Sequence, residues 1–403
     1  MASTSAEEEE LNSDSDGDES SDREGEESNV QLGFAEKNEV VMFSEREWST
    51  WDGGKIGGKP FWLDPVHVPS AQDLSCEACT EPLSFLLQLY CPLDEEPTAF
   101  HRMLYLFCCR HGACAERQLP VALRCQLPRA NRFYAHGSTE PAPEPLASQA
   151  KLCAVCGQKG PLVCSACKGE SYCSKAHQKL AWKAGGHKTH CSGASGGSAP
   201  RPHRYACLFP EYEVSVVSES ELKEEEEEAV QAAAVEMPQA ANEEERKEMA
   251  TMRQKDIVAR DGVDQTAMKD PLTFKFLMET SLAKKQVLRY DRWPKDGKEA
   301  ALWVKTEGKA EALPPPCERC GEPRSFECQV MPQLLHYLEQ DRAAEEVSRD
   351  AKKMEALKLL SAASLDWGVL VVSTCTKSCG SSEPPAAPSQ SYVKEHVFRQ
   401  GPL

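Results

Sequence analysis

Four short runs of β-branched, aromatic or long apolar residues stand out along the chain, each bounded by Gly, Pro or Cys: Phe85 to Tyr90, Arg102 to Phe107, Tyr212 to Val217 and Val369 to Val372. Runs of that length and composition predict strands. Pro332 followed by Gln333-Leu-Leu-His-Tyr-Leu338 predicts a helix with proline in its first turn. Glu345 to Leu360, rich in Ala, Glu, Lys and Leu, predicts an exposed helix inserted before the last strand. The pattern points to a fold that is mostly β with some α.

Polar positions are spread far less evenly. The net charge is −18, yet residues 1–28 hold twelve Asp or Glu against Arg23 alone, and residues 219–250 hold twelve Glu against Lys223, Arg246 and Lys247. The rest of the chain is therefore close to neutral, at about +2. Both acidic tracts hold too little apolar surface to offset the entropy of ordering, and both are expected to be disordered. The opening run is acidic, and nowhere do eighteen apolar residues follow one another, so neither a signal peptide nor a membrane span is expected. Nineteen cysteines in such a chain predict a reducing compartment, cytoplasm and nucleus, where paired thiols serve as metal ligands more often than as disulfides.

Composition divides the 403 residues into an acidic tail (1–28), a first half (29–134), a Pro-rich linker (135–150), a cysteine cluster (151–191), a Gly/Ser-rich linker (192–204), a strand segment (205–218), an acidic linker (219–262) and a second half (263–403). Linkers on both sides predict that the cysteine cluster is a separate, flexibly tethered module. The two halves are related. Cys76-Glu-Ala-Cys-Thr-Glu-Pro-Leu-Ser-Phe-Leu-Leu-Gln-Leu89 aligns without a gap on Cys317-Glu-Arg-Cys-Gly-Glu-Pro-Arg-Ser-Phe-Glu-Cys-Gln-Val330, identical at eight of fourteen positions. In each copy a Cys-x2-Cys knuckle leads into a strand, and a later apolar run ends in a second pair, Cys109 and Cys114 or Cys375 and Cys379. The expected architecture is a pseudo-symmetric, duplicated β domain interrupted by the cysteine cluster.

Within that cluster, Cys153, Cys156, Cys164, Cys167, Cys173, His177, His187 and Cys191 supply eight candidate ligands. Thiolates and imidazoles so spaced suit two tetrahedral Zn(II) sites, and so short a segment has little core without metal. His190 competes with its neighbour His187. Closure within each repeat gives two more sites, Cys76, Cys79, Cys109 and Cys114, then Cys317, Cys320, Cys375 and Cys379. Alignment of the apolar runs matches Cys109 to Cys375, but Cys108 stands beside it and the sequence does not decide between them. Cys91, Cys108, Cys125, Cys207 and Cys328 are left for buried packing.

The order of the ligand pairs, with Tyr172-Cys-Ser-Lys-Ala-His-Gln-Lys-Leu-Ala-Trp182 and His187-Lys-Thr-His-Cys191, resembles the MYND zinc finger. The resemblance implies interleaved pairing: Cys153, Cys156, Cys173 and His177 at one zinc, Cys164, Cys167, His187 and Cys191 at the other. It also implies a groove for Pro-rich peptides at Tyr172, Gln178 and Trp182, although Tyr172 and Trp182 fit packing around the metals equally well.

Further motifs resemble the programmed cell death protein 2 family: Gln31-Leu-Gly-Phe-Ala-Glu36, Gly57-Gly-Lys-Pro-Phe-Trp-Leu63, Gln126-Leu-Pro-Arg129, Gln286-Val-Leu-Arg-Tyr290, Gln329-Val-Met-Pro-Gln-Leu-Leu335 and Leu365-Asp-Trp-Gly368. That family carries a MYND finger between two halves of one domain. The resemblance implies a dedicated chaperone for a small-subunit ribosomal protein, the eukaryotic counterpart of bacterial S-five, supporting 40S subunit biogenesis and rRNA maturation. Acidic tracts would steer and screen a basic client, and an open sheet edge would pair with an extended client segment.

Zinc ions whose four positions are filled by protein leave no place for water or substrate, so binding is expected and enzymatic activity is not. The alternative is a nuclear MYND adaptor that recruits transcriptional corepressors through Pro-rich peptides, which leaves the flanking repeats unexplained. A lysine methyltransferase of the MYND-containing kind would need a Gly-rich cofactor loop that the sequence lacks. Direct nucleic-acid binding would need a basic face, and only Lys168, Lys175, Lys179, Lys183 and Lys188 in the finger offer one.

Overall fold

The computed structural model describes residues 30–37, 54–134, 149–191, 205, 207–225, 269–294, 300–345, 365–380 and 391–403. The first half supplies β1 (Gln31–Glu36), β2 (Gly54–Ile56), β3 (Ser84–Tyr90), β4 (His101–Cys108), α1 (Gly112–Ala115) and β5 (Val121–Leu127). The finger holds β6 (Leu162–Val163), β7 (Ser171–Tyr172), α2 (Lys175–Lys183) and α3 (His187–His190). The second half supplies β8 (Tyr212–Ser218), α4 (Pro271–Ser281), β9 (Gln286–Tyr290), β10 (Arg324–Val330), α5 (Gln333–Glu345), β11 (Val369–Cys375) and β12 (Tyr392–Gln400).

The ten strands outside the finger close a barrel in the order β1-β8-β2-β3-β4-β5-β12-β11-β10-β9. Every neighbouring pair is antiparallel. Matching β1 to β8, β2 to β9, β3 to β10, β4 to β11 and β5 to β12 reproduces the whole order, so the barrel has a pseudo-two-fold axis. The first strands are exchanged: β8 lies beside β2 in the first half's arc, and β1 lies beside β9 in the second's. The register repeats as well. A bulge between Phe85 and Leu87 faces the end of β4, and one between Phe326 and Cys328 faces the end of β11. Those positions are equivalent in the sequence repeat.

Side chains alternate between the inside and the outside of the barrel, as the two-residue period of a strand requires. Leu87, Leu89, Leu104, Leu106, Val214, Leu288, Val330, Leu370 and Val372 join one buried cluster. The outer faces are also covered. Trp62 stacks on Phe107 at 5.8 Å and meets Tyr392 edge-on at 5.2 Å, while Trp303 meets Phe398 edge-on at 5.5 Å. Beside each tryptophan a backbone N–H donates to a buried glutamine, Phe61 to Gln88 at 2.8 Å and Leu302 to Gln329 at 2.7 Å. The duplication therefore extends to Phe61-Trp-Leu63 and Leu302-Trp-Val304. Gly57 permits the approach to the first cover: at φ 65°, a Cβ there would lie 1.9 Å from the Pro210 carbonyl oxygen.

Buried ion pairs join the halves. Arg102 of β4 makes a two-pronged contact with Glu327 of β10, with Nη2 to Oε2 at 2.7 Å. Arg124 of β5 and Arg324 of β10 share Glu395 of β12, at 2.7 and 3.0 Å. Burial would push Glu327 up, but the Arg102 guanidinium beside it holds the carboxyl below its ordinary range.

Three expectations change. The finger is not a loosely tethered module, because Trp62 Nε1 donates to the Gly157 carbonyl at 2.7 Å, Lys59 Nζ to that of Ala154 at 2.8 Å and Gln158 Nε2 to that of Leu83 at 2.5 Å. Tyr205, just past the Gly/Ser-rich linker, packs into the finger's own core. The acidic linker does not begin disordered at Glu219: residues 219–225 are helical, and Glu219 is buried against Arg289 at 2.5 Å. Barrel closure also uses both edges of the sheet, so no open edge of the kind expected for client pairing is formed by its ten strands. The helix expected from Glu345 to Leu360 lies outside the described residues apart from its first position.

Candidate metal centres

Four Cys-x2-Cys knuckles share one backbone turn. Cys76 N–H donates to the Glu81 carbonyl and Thr80 N–H to that of Cys76, both at 2.8 Å; Cys317, Glu322 and Gly321 repeat this at 2.8 Å. In the finger, Gly157 N–H reaches the Cys153 carbonyl at 2.9 Å, and Lys168 N–H that of Cys164 at 3.0 Å. The residue after each second cysteine is left-handed: Thr80 at φ 60°, Gly157 at 72°, Lys168 at 56° and Gly321 at 76°. This turn points two sulfurs the same way and aims amide hydrogens at them. The Cys167 N–H, with His187 and the Ala166 N–H, draws the Cys164 thiol down to about 6. Burial opposes the same effect at Cys317, where the Cys320 and Arg319 amides still bring the thiol to about 7.

The fold then brings a second pair to each knuckle. Four groups result, each with its four donor atoms within 4.8 Å of one another: Cys76, Cys79, Cys109 and Cys114; Cys153, Cys156, Cys173 and His177; Cys164, Cys167, His187 and Cys191; Cys317, Cys320, Cys375 and Cys379. A tetrahedron with Zn–S bonds of 2.3 Å has sulfurs about 3.8 Å apart, and sulfur to nitrogen about 3.5 Å. Here Cys79 to Cys109 is 3.7 Å, Cys320 to Cys375 is 3.5 Å and Cys317 to Cys379 is 3.6 Å. In the finger, Cys156 to Cys173 is 3.5 Å and Cys164 to Cys191 is 3.6 Å. His177 turns Nδ1 toward Cys153 at 3.6 Å, and His187 turns Nε2 toward Cys167 at 3.7 Å. Donor chemistry, number and spacing all fit Zn(II). His187 joins the second finger group, and the side chain of its competitor His190 lies outside the described residues.

In the barrel, each site closes the end of a hairpin that the chain leaves open. Ser84 pairs with Cys108, and Cys109 follows; Ser325 pairs with Thr374, and Cys375 follows. Alternation along β4 separates the two neighbouring cysteines. Cys108 lies in the barrel's inner cluster, while Cys109 lies with Cys76, Cys79 and Cys114 on the other face. Burial pushes the Cys108 and Cys91 thiols up to about 12, which suits inert packing. Cys125 and Cys328 are likewise buried, whereas Cys207 is only half-buried, beside the finger. Elemental analysis should therefore lose one zinc per chain on Cys109→Ser and none on Cys108→Ser.

Two contacts escaped the sequence reading. His111 Nδ1 lies 3.8 Å from Cys109 Sγ, and the Cys375 N–H donates to Glu395 at 3.2 Å, tying the second barrel site to the buried arginine pair. Neither histidine nor glutamate sits in a ligand motif, so spacing carries no signal for either.

The expected groove residues separate. Tyr172 is fully buried among the zinc ligands, so its ring belongs to the finger's core and not to an exposed groove. Gln178 is half-buried and Trp182 is 40 % exposed, both on α2. Ser174 caps that helix by accepting from the His177 N–H at 3.2 Å, which fixes the histidine as well.

Fold and sites together define a zinc protein: a duplicated, strand-exchanged barrel with one four-cysteine site in each half and a docked MYND finger. Residues 29–144 match the N-terminal domain of programmed cell death protein 2, residues 270–401 its C-terminal putative domain, and residues 153–191 the MYND finger. The chain is 38 % identical to programmed cell death protein 2 of Bos taurus over 383 residues, covering 92 % of this chain and 96 % of that one. Identity to the Mus musculus protein of that name is 35 % with the same coverage, and to programmed cell death protein 2-like of Homo sapiens 27 %, covering 82 % and 86 %. The chain belongs to the programmed cell death protein 2 family. No solved structure matches it.

Proposed function

We propose that the protein is a dedicated chaperone for a small-subunit ribosomal protein, the eukaryotic counterpart of bacterial S-five. It holds this client in cytoplasm and nucleus and so supports 40S assembly and rRNA maturation. It works by binding and not by catalysis, since each zinc group offers four protein donors and no open position. The observation that carries this reading is where the acidic tracts join the barrel. β1 starts just after Val30, β8 ends at Ser218, and the Glu219 N–H donates to the Val30 carbonyl at 2.9 Å. Two tracts of twelve acids each therefore meet the folded body at one place. A strongly basic client would be drawn there before the folded surface engages it. Exposed Trp182 and half-buried Gln178 support a second, separate role for the finger in binding a Pro-rich peptide.

Association and dissociation rates with the purified ribosomal protein test the proposal. Solvated charges are screened beyond about 8 Å at physiological salt and act mainly on encounter. Deleting residues 1–28 should slow association, most visibly at low salt, and leave dissociation nearly unchanged. A faster off-rate with an unaltered on-rate would put the tail in the bound interface instead, and no binding at all by the full chain would remove the proposal.

A further inference from the structure

The finger carries a charge pattern that neither its zinc chemistry nor the proposed client explains. Residues 151–191 contain seven lysines and a single acid, Glu170, inside a chain of net charge −18. Lys175, Lys179 and Lys183 are exposed at four-residue spacing along α2, with Trp182 exposed beside them, and Lys188 follows on α3. Like charges four apart on a helix cost a few tenths of a kcal/mol per pair. Lys175 also stands in a first turn that holds no acid, where the helix dipole disfavours a cation. Among the described residues, no carboxylate forms an ion pair with any of the three. The stripe is held rigidly, because His177 of the same helix is a ligand in the first zinc group and the finger is hydrogen-bonded to the barrel.

We infer that the exposed lysine face of α2 is a docking surface for this chain's own acidic tail, residues 1–28, and chiefly for Asp14 to Glu27. Charge complementarity selects the occupant: the tail holds twelve acids and only Arg23. Reach permits it. Tyr205 packs in the finger and Ser218 pairs with Gln31, where the tail enters, so the two points are at most roughly 45 Å apart along extended chain. A tail of this length spans about 30 Å as a flexible coil and about 95 Å when fully extended. Tethering gives it an effective concentration on the order of millimolar, enough for an ionic contact that would be weak between separate molecules. The tail is favoured over the second acidic tract because that tract opens as a helix over residues 219–225, with Glu219 already paired to Arg289 at 2.5 Å. A basic client would then draw the tail off the finger, although the docking itself rests on charge and position and not on the chaperone reading.

Zero-length carbodiimide cross-linking of the full chain, at low protein concentration and with peptide mapping of the monomer band, tests the inference. Tail carboxylates should be joined to Lys175, Lys179 or Lys183. Yield should fall about tenfold when salt rises from 0.05 to about 0.5 M, where the Debye length is only a few ångströms. The triple variant Lys175→Glu, Lys179→Glu, Lys183→Glu should lose these links while keeping its zinc content and its denaturant midpoint. Tail links that fall on other lysines in the unchanged chain, or that occur only in dimers, would overturn the proposal. A labelled single-stranded RNA that binds this face of the full chain tightly, with no tail links formed in its absence, would show a nucleic-acid surface instead.

Discussion

Stripping zinc with a chelator should unfold residues 151–191 almost completely and loosen the barrel without dissolving it. The finger's buried cluster is Cys153, Val155, Cys156, Cys164, Tyr172, Cys173, Ala181, Cys191 and Tyr205, so most of what it buries is metal ligand. Structural zinc contributes roughly 10–16 kcal/mol to folding in finger peptides of this kind, and little apolar packing remains here to replace it. The barrel differs in kind. Its inner cluster and outer covers bury Leu, Val, Phe and Trp side chains from all parts of both halves. Hydrogen exchange after chelation should show lost protection across 151–191 and at the knuckles at 76–79 and 317–320, with β4, β5, β11 and β12 still protected. A finger that kept its protection without metal would show that zinc is not its core.

Replacing Arg102 by methionine should destabilise the protein by about 3–5 kcal/mol, the usual cost of leaving a buried charge without its partner. Both Arg102 and Glu327 are fully buried, and Glu327 also accepts from Thr374 and from the Tyr290 hydroxyl. Glu327→Met should cost a similar amount. The double variant should recover much of the loss, because two apolar side chains of similar size carry no desolvation penalty. Denaturant midpoints of the four proteins measure this. Additive losses in the double variant would mean that each charge is held independently, contrary to the paired geometry.

Local chemistry was legible in the sequence wherever it depends on spacing within one segment. The knuckles at Cys76, Cys153, Cys164 and Cys317 are such segments, and so are the runs that form β3, β4, β8 and β11. The repeat also carried more than was drawn from it. Gln88 and Gln329 fall within its eight identities, and each accepts from the residue before a covering tryptophan. Barrel closure was not legible, because it depends on β1 and β8 each crossing into the opposite arc, and a six- or seven-residue strand does not state its neighbour. The docked finger was missed for a related reason. Composition marks a linker as unable to form its own structure, yet Trp62, Lys59 and Gln158 anchor the finger through contacts far apart in sequence. Arg102 and Glu327 are separated by more than two hundred positions, and neither belongs to a motif, so their pairing follows only from the fold.

The proposed role, in which a barrel with two zinc sites and a docked two-site finger holds a newly made ribosomal protein, is tested most directly by what accompanies the protein in cells. The tagged full-length chain, purified under gentle conditions with its partners quantified by mass spectrometry, should carry a basic small-subunit ribosomal protein in near-equal amount. Near-equal recovery of a transcriptional corepressor, with no ribosomal protein above background, would contradict the account and favour the nuclear adaptor.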